Sequence, residues 1–143
     1  MNMDPDWTPA CQVTHVVLDA ALLPRRACAA GLTGHALAAA VRGSGHRRIA
    51  LDLDAPAGTV RGWIRGARRS AAGLRVTGIR AAVACDQDAV PAPSGRGGLR
   101  WALECPGAAA VVVCRRLALE HVSLWAMISI LTRGRLLDMA PAG

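Results

Sequence analysis

Phenylalanine, tyrosine and lysine are absent from this sequence, and asparagine occurs once, at Asn2. Four Trp are the only large aromatic side chains, so the core volume must come mainly from Ala, Leu and Val, which favours close-packed helices over a sheet. Without lysine there is no Gly-Lys-Ser/Thr phosphate loop, and the Gly-rich stretch at Gly95–Gly98 reads as linker. Every permanently charged side-chain cation is therefore a guanidinium. The avoided residues have AT-rich codons while Ala, Arg and Gly abound, the bias of a high-GC genome.

Paired cysteines are also missing. Cys11, Cys28, Cys85, Cys105 and Cys114 form no C-x-x-C motif, their number is odd, and the acidic N-terminus has no secretory pattern. They read as reduced, mostly buried thiols of a cytoplasmic protein. Cys11, His15, Cys28 and His35 can be written as a zinc site, but the spacing matches no common framework and Pro24 interrupts it, so no metal or other cofactor is expected. No uninterrupted apolar run is long enough for a bilayer: Ala108–Leu131 is broken by Arg115, Arg116, Glu120 and His121. A membrane partner is not expected, although that stretch has the composition of an amphipathic surface helix. The acids Asp52, Asp54, Asp86, Asp88, Glu104 and Glu120 are scattered over predicted helices and loops, so no two-metal nuclease centre is expected. The chain reads as a binding protein, with no enzymatic activity and no small-molecule substrate.

What is present is charge in one place. Nine Arg (42, 47, 48, 61, 65, 68, 69, 75 and 80) stand against Asp52 and Asp54 in one stretch, which therefore holds all of the net charge of +7. A concentrated basic segment is the footprint of a phosphate-binding surface, and it also attracts acidic proteins or membrane surfaces.

Along the 143 residues the pattern is all-α. Positions 1–30 form an N-terminal segment in which Thr14–Leu18 has the β-branched composition of a short strand and Pro24 breaks Leu22–Arg26. Thr33–Arg42 predicts a helix, stopped by Gly43-Ser44-Gly45, and another begins near His46, which is placed to cap it or to sit beside a phosphate. Ile49, Ala50 and Leu53 form its apolar stripe, and Asp54-Ala55-Pro56 ends it. A third helix starts at Gly58 or Thr59 and runs to about Arg69, burying Val60, Trp63, Ile64 and Ala67. Leu74, Ile79 and Val83 continue helically toward Asp86. The unit is bounded at 31–80, and 81–143 is a helical C-terminal region with a linker near 90–98. Its pieces, Leu99–Cys105, Ala108–Leu119 and Val122–Thr132, are separated at Pro106-Gly107 and Glu120-His121, with Val111–Val113 readable as strand.

The offsets inside the unit are those of a helix-turn-helix. With Ala50 as the small residue where two helices cross, Leu53 follows at +3, Val60 at +10 and Trp63 at +13, and the turn falls between. Such packing presents the second helix, 58–69, to a major groove about 12 Å wide. Arg61, Arg65 and Arg68 recur at i, i+4 and i+7 on a face different from the apolar one and are the expected groove contacts, with Arg69 beyond them. Thr59 offers a hydroxyl to a phosphate or base edge, and Arg47 and Arg48 are placed for phosphate. Double-stranded DNA is the expected partner, with a homodimer through the C-terminal region allowed and a nucleoid-associated cytoplasmic location implied. Two other readings stay open at this point: a helical protein-interaction module, and a non-functional remnant of a mobile-element gene. Gly58, Gly62 and Gly66 fit a remnant, because interior glycines weaken a helix, and they equally allow close approach to a backbone.

Gly43–Ala50, Leu53, Ala55-Pro56, Thr59–Arg65 and Leu131–Leu137 resemble a group of actinobacterial transposase-like proteins in which a zinc ribbon precedes a homeodomain-like helix-turn-helix and a helical C-terminal region. The resemblance implies DNA binding in mobile-element biology or regulation, on a three-helix homeodomain-like unit. In that family a C-x-x-C pair stands before the Thr14-His15-Val16 segment, whereas here the residues are Thr8-Pro9-Ala10-Cys11, as in a member truncated at its N-terminus and lacking the ribbon. Asp54 stands where such turns usually carry Gly, at a position that requires a left-handed backbone.

Overall fold

The computed structural model describes residues 22–23, 26–89 and 98–139. The described chain is all-α in its substance, with six helices: α1 Ala30–Val41, α2 His46–Asp52, α3 Ala57–Arg69, α4 Ala71–Cys85, α5 Gly98–Arg116 and α6 Leu124–Leu131. A small antiparallel ribbon precedes them, β1 (Leu22–Leu23) against β2 (Arg26–Ala29), with Leu22 opposite Ala29 and Leu23 opposite Arg26. The strand expected at Thr14–Leu18 and most of the 90–98 linker lie outside the described residues.

Burial in α1 and α3 follows the helical period. In α1 the buried positions include Ala30, Thr33, Gly34 and Leu37, and in α3 Val60, Trp63, Ile64 and Ala67, each set at i, i+3, i+4 and i+7. Short α2 buries Ile49 and Ala50 against them. α1 begins three residues earlier than its propensity predicts, because Ala30 and Thr33 are both enclosed by the core.

Helix ends determine the turns. After α1, the Gly43 N–H donates to the Ala40 carbonyl (3.0 Å) and the Ser44 N–H to that of Ala39 (3.1 Å), with Gly43 left-handed at φ 99°. After α2 the same pair recurs: Asp54 N–H to Leu51 (3.3 Å) and Ala55 N–H to Ala50 (2.9 Å). There Asp54 takes the left-handed position at φ 48°. α5 and α6 end likewise, with Ala118 (φ 51°) and Arg133 (φ 52°) in the glycine position. An L-residue is strained there by about 1–2 kcal/mol, less the entropy glycine loses on folding. Asp54→Gly and Ala118→Gly are each expected to raise stability by roughly 0.5–1 kcal/mol in urea denaturation, with the larger gain at Ala118, since Asp tolerates the left-handed region better than Ala. A loss at both positions would contradict this account of the turns.

The C-terminal half departs from the pattern read in the sequence. α5 runs unbroken through Pro106-Gly107, and Val111–Val113 is helical within it. Proline in a helix interior removes a hydrogen bond and costs about 3 kcal/mol. Packing offsets that cost: Pro106 is fully buried, and Gly78 of α4 lies so close that an added Cβ would collide with the Pro106 nitrogen and the Cys105 carbonyl carbon. The two helices form a tight pair through small residues, Gly78 and Ala82 facing the side of α5 that holds Ala102 and Cys105. The helix expected to continue through Leu74, Ile79 and Val83 is α4, whose buried face is Gly73, Leu74, Gly78 and Ala82 and which leaves Val83 exposed. Arg75 stacks over the Trp101 ring at 5.0 Å and ties α4 to α5. Burial pushes the Cys105 thiol up, only partly countered by the Arg75 charge, so it is a protonated packing group.

α6 starts at Ser123, whose Oγ accepts from the Ala126 N–H (3.1 Å), and packs on α1 and α5. Trp125 lies against Gly34, where a Cβ would enter the indole ring. Beyond α6 the chain returns to the first half: Leu136 and Leu137 are buried, Leu137 rests on Gly66 of α3, and the Met139 N–H donates to the buried Ser70 Oγ (2.9 Å) between α3 and α4. One core therefore runs from Ala30 through Trp63 and Leu74 to Leu137. The boundary expected at position 80 falls within α4.

Candidate nucleic-acid interface

Ala50, Val60 and Trp63 fall on two packed helices, α2 and α3. Ala50 (5% exposed) closes the crossing of α2 on α3, Val60 and Trp63 (0% and 3%) lock α3 from beneath, and the opposite face of α3 stays in solvent. α3 begins at Ala57, one turn position ahead of the expected start, because Pro56 supplies a fixed φ of −61° just before it. No side chain caps it, so Thr59 is left as an exposed hydroxyl in the first turn.

Arg61, Arg65 and Arg68 are exposed and converge on one cleft of about 510 Å³. Its far wall is the α1–α2 loop, Gly43-Ser44-Gly45-His46, and Ile64 and Ala40 contribute apolar surface between. Among the described residues no carboxylate lines it. Among the described residues the only ion pair within 4 Å joins Arg48 to Asp52 (3.2 Å), so the three cleft arginines are not neutralised by a neighbour. Three guanidiniums on one helix face repel one another and are relieved by an anion.

The other sequence-derived residues sit around this cleft. Arg47 and Arg48 are exposed on the first turn of α2, with Arg48 turned to Asp52 and so partly committed. Thr59 and Arg69 are exposed on α3 and do not line the cleft. Arg75, part of the basic stretch, is spent on Trp101. His46 caps nothing, since Gly45 is the cap residue of α2, but it does line the cleft. Ser44 and Gly45 were legible only as a helix stop, and their place beside the arginines follows from the tight turn at Gly43.

The three glycines of α3 separate in meaning. An added Cβ at Gly66 would lie 2.8 Å from the Leu137 carbonyl oxygen, whereas Gly58 and Gly62 have nothing within 4 Å. Gly62→Ala is expected to stabilise the chain by about 1 kcal/mol through helix propensity. Gly66→Ala is expected to destabilise it by about 1–3 kcal/mol, since backbone must move. Thermal melts of the two variants should shift in opposite directions, and equal shifts would remove the packing role of Gly66.

Among the described residues no three His, Cys, Asp or Glu side chains gather in a way that could hold a metal ion. His35, one of the four residues weighed as zinc ligands, contacts its own helix through Nδ1 and the Gly31 carbonyl (2.8 Å); Cys11 and His15 lie outside the described residues. No described helix is long and apolar enough to cross a membrane. Comparison with protein families, with curated proteins and with solved structures finds no match to this chain.

Proposed function

We propose that this protein binds double-stranded DNA through a helix-turn-helix formed by α2 and α3, as a transposase-related or regulatory factor of the nucleoid, without catalysis. The observation that carries this reading is the convergence of Arg61, Arg65 and Arg68, without a carboxylate, on the exposed face of a helix whose opposite face is locked into the core. Guanidiniums so arranged can fork onto guanine O6 and N7 in the groove, while Arg47, Arg48, Arg69 and the cleft wall at Ser44 meet flanking phosphates. The resemblance of Gly43–Arg65 and Leu131–Leu137 to transposase-like helix-turn-helix proteins points the same way.

The test is binding of the purified chain to random-sequence duplex DNA over a salt series, with circular dichroism on the same sample. Neutralising about three phosphates, at Arg47, Arg48 and Arg69, predicts a slope of log K against log salt of about −3. A helical chain with no salt-dependent DNA affinity would overturn the reading.

A further inference from the structure

A second concave surface lies away from the arginine cleft, on the other side of α1. α1, α5 and α6 together enclose an apolar groove of about 690 Å³, whose walls include Val41, Leu103, Val111, Leu124 and Trp125, with Ile128 at its base. That volume is in the range of small-molecule sites between packed helices, about 300–1,000 Å³. Val111 and Leu124 are each 43% exposed, an arrangement that leaves apolar surface in water at a groove rather than on a flat face.

The rim is charged on one side. Arg42, just past the end of α1, and Arg100, in the first turn of α5, both line the groove and make no ion pair among the described residues. Glu104, one turn further along α5, is half-buried and already engaged in an interaction of its own. With two guanidiniums against one carboxylate, the net charge at the mouth is cationic, above an apolar trough. A molecule complementary to both parts has a hydrocarbon body and one anionic end.

We propose that this groove binds a small amphipathic carboxylate, its hydrocarbon part along Val111, Leu124 and Trp125 and its carboxylate at Arg42 and Arg100. A guanidinium accepts a carboxylate in a planar, two-pronged contact that a hydroxyl or an ammonium cannot reproduce. The inference is independent of the DNA-binding reading, because none of these residues belongs to the arginine face of α3.

The experiment is calorimetric titration of the full chain with dodecanoate below its micelle concentration, beside dodecyltrimethylammonium, which has the same tail and the opposite charge. Saturable binding of one dodecanoate is expected, at least tenfold tighter than the ammonium. Arg42→Gln with Arg100→Gln should erase that preference. Gly107→Leu is the steric test: Gly107 lines the groove, a Cβ there meets nothing within 4 Å, and leucine is the better helix former, so the fold is kept while the space is filled. It should weaken dodecanoate binding more than tenfold with the circular dichroism unchanged. Equal binding of the two amphiphiles, non-saturating uptake, or full binding by Gly107→Leu would each overturn the proposal.

Discussion

Replacing Trp63 by Ala is expected to cost about 3–5 kcal/mol, the loss for a large aromatic removed from a close-packed core. Trp63 is 3% exposed, on the face of α3 that meets α1 and α2, within the core that also holds Leu37, Ile49 and Val60. The small side chains around it, Ala36, Ala50 and Ala67 among them, have few rotamers with which to refill the space. A domain of this size has about 5–15 kcal/mol of stability in total, so the variant should show a urea midpoint lowered by about a fifth or more and a fraction unfolded at 37 °C. Because one core joins both halves, α4–α6 should melt with α1–α3 in a single transition. A loss below about 1 kcal/mol, or two separate transitions, would show that Trp63 does not anchor a shared core.

The second large effect concerns binding. Arg61→Ala combined with Arg65→Ala should reduce duplex affinity by at least about thirtyfold if both guanidiniums read base edges, at about 1–3 kcal/mol each, and should relax sequence preference. Both side chains are exposed and unpaired within the described chain, so the melting temperature should change little or rise slightly as repulsion is relieved. Removing a phosphate contact instead, as with Arg47→Ala, should weaken all sequences alike and reduce the salt slope by about one. The pairing of these outcomes separates groove contacts from general attraction. If the double variant bound DNA as tightly as the unaltered chain, the groove assignment to α3 would fail, while the fold argument would stand.

The split between these predictions follows the split between what the chain shows locally and what it shows only when folded. The buried set Ile49, Ala50, Val60, Trp63, Ile64 and Ala67, and the exposed row Arg61, Arg65 and Arg68, are all legible in the order of residues, because a helix repeats every 3.6 residues and sorts them onto two faces. The stop after α2 is legible at Asp54-Ala55-Pro56, whereas its left-handed residue, Asp54, was expected only from the family resemblance. Pro106 was misread as a break for the opposite reason. Its local cost is plain in the sequence, whereas the compensating contact comes from Gly78, 28 positions away, and no periodicity connects the two.

By itself, then, the sequence determined the helical composition of this protein, the two-faced character of α2 and α3, the turns at Gly43 and Asp54, and the clustering of its positive charge, all of which depend on neighbours within a turn or two. Only the tertiary structure decided that α5 passes through Pro106, that Gly66 makes room for Leu137 while Gly62 makes room for nothing, and that Ser44 and His46 share a cleft with three arginines. The same is true of the groove under Trp125, which needs α1, α5 and α6 side by side before it exists. The physical reason is that backbone propensity and amphipathic period act over a few residues along the chain. Close approach of two backbones, and the concavities left between three helices, are properties of surfaces brought together by burial, and their energies are set by residues far apart in sequence.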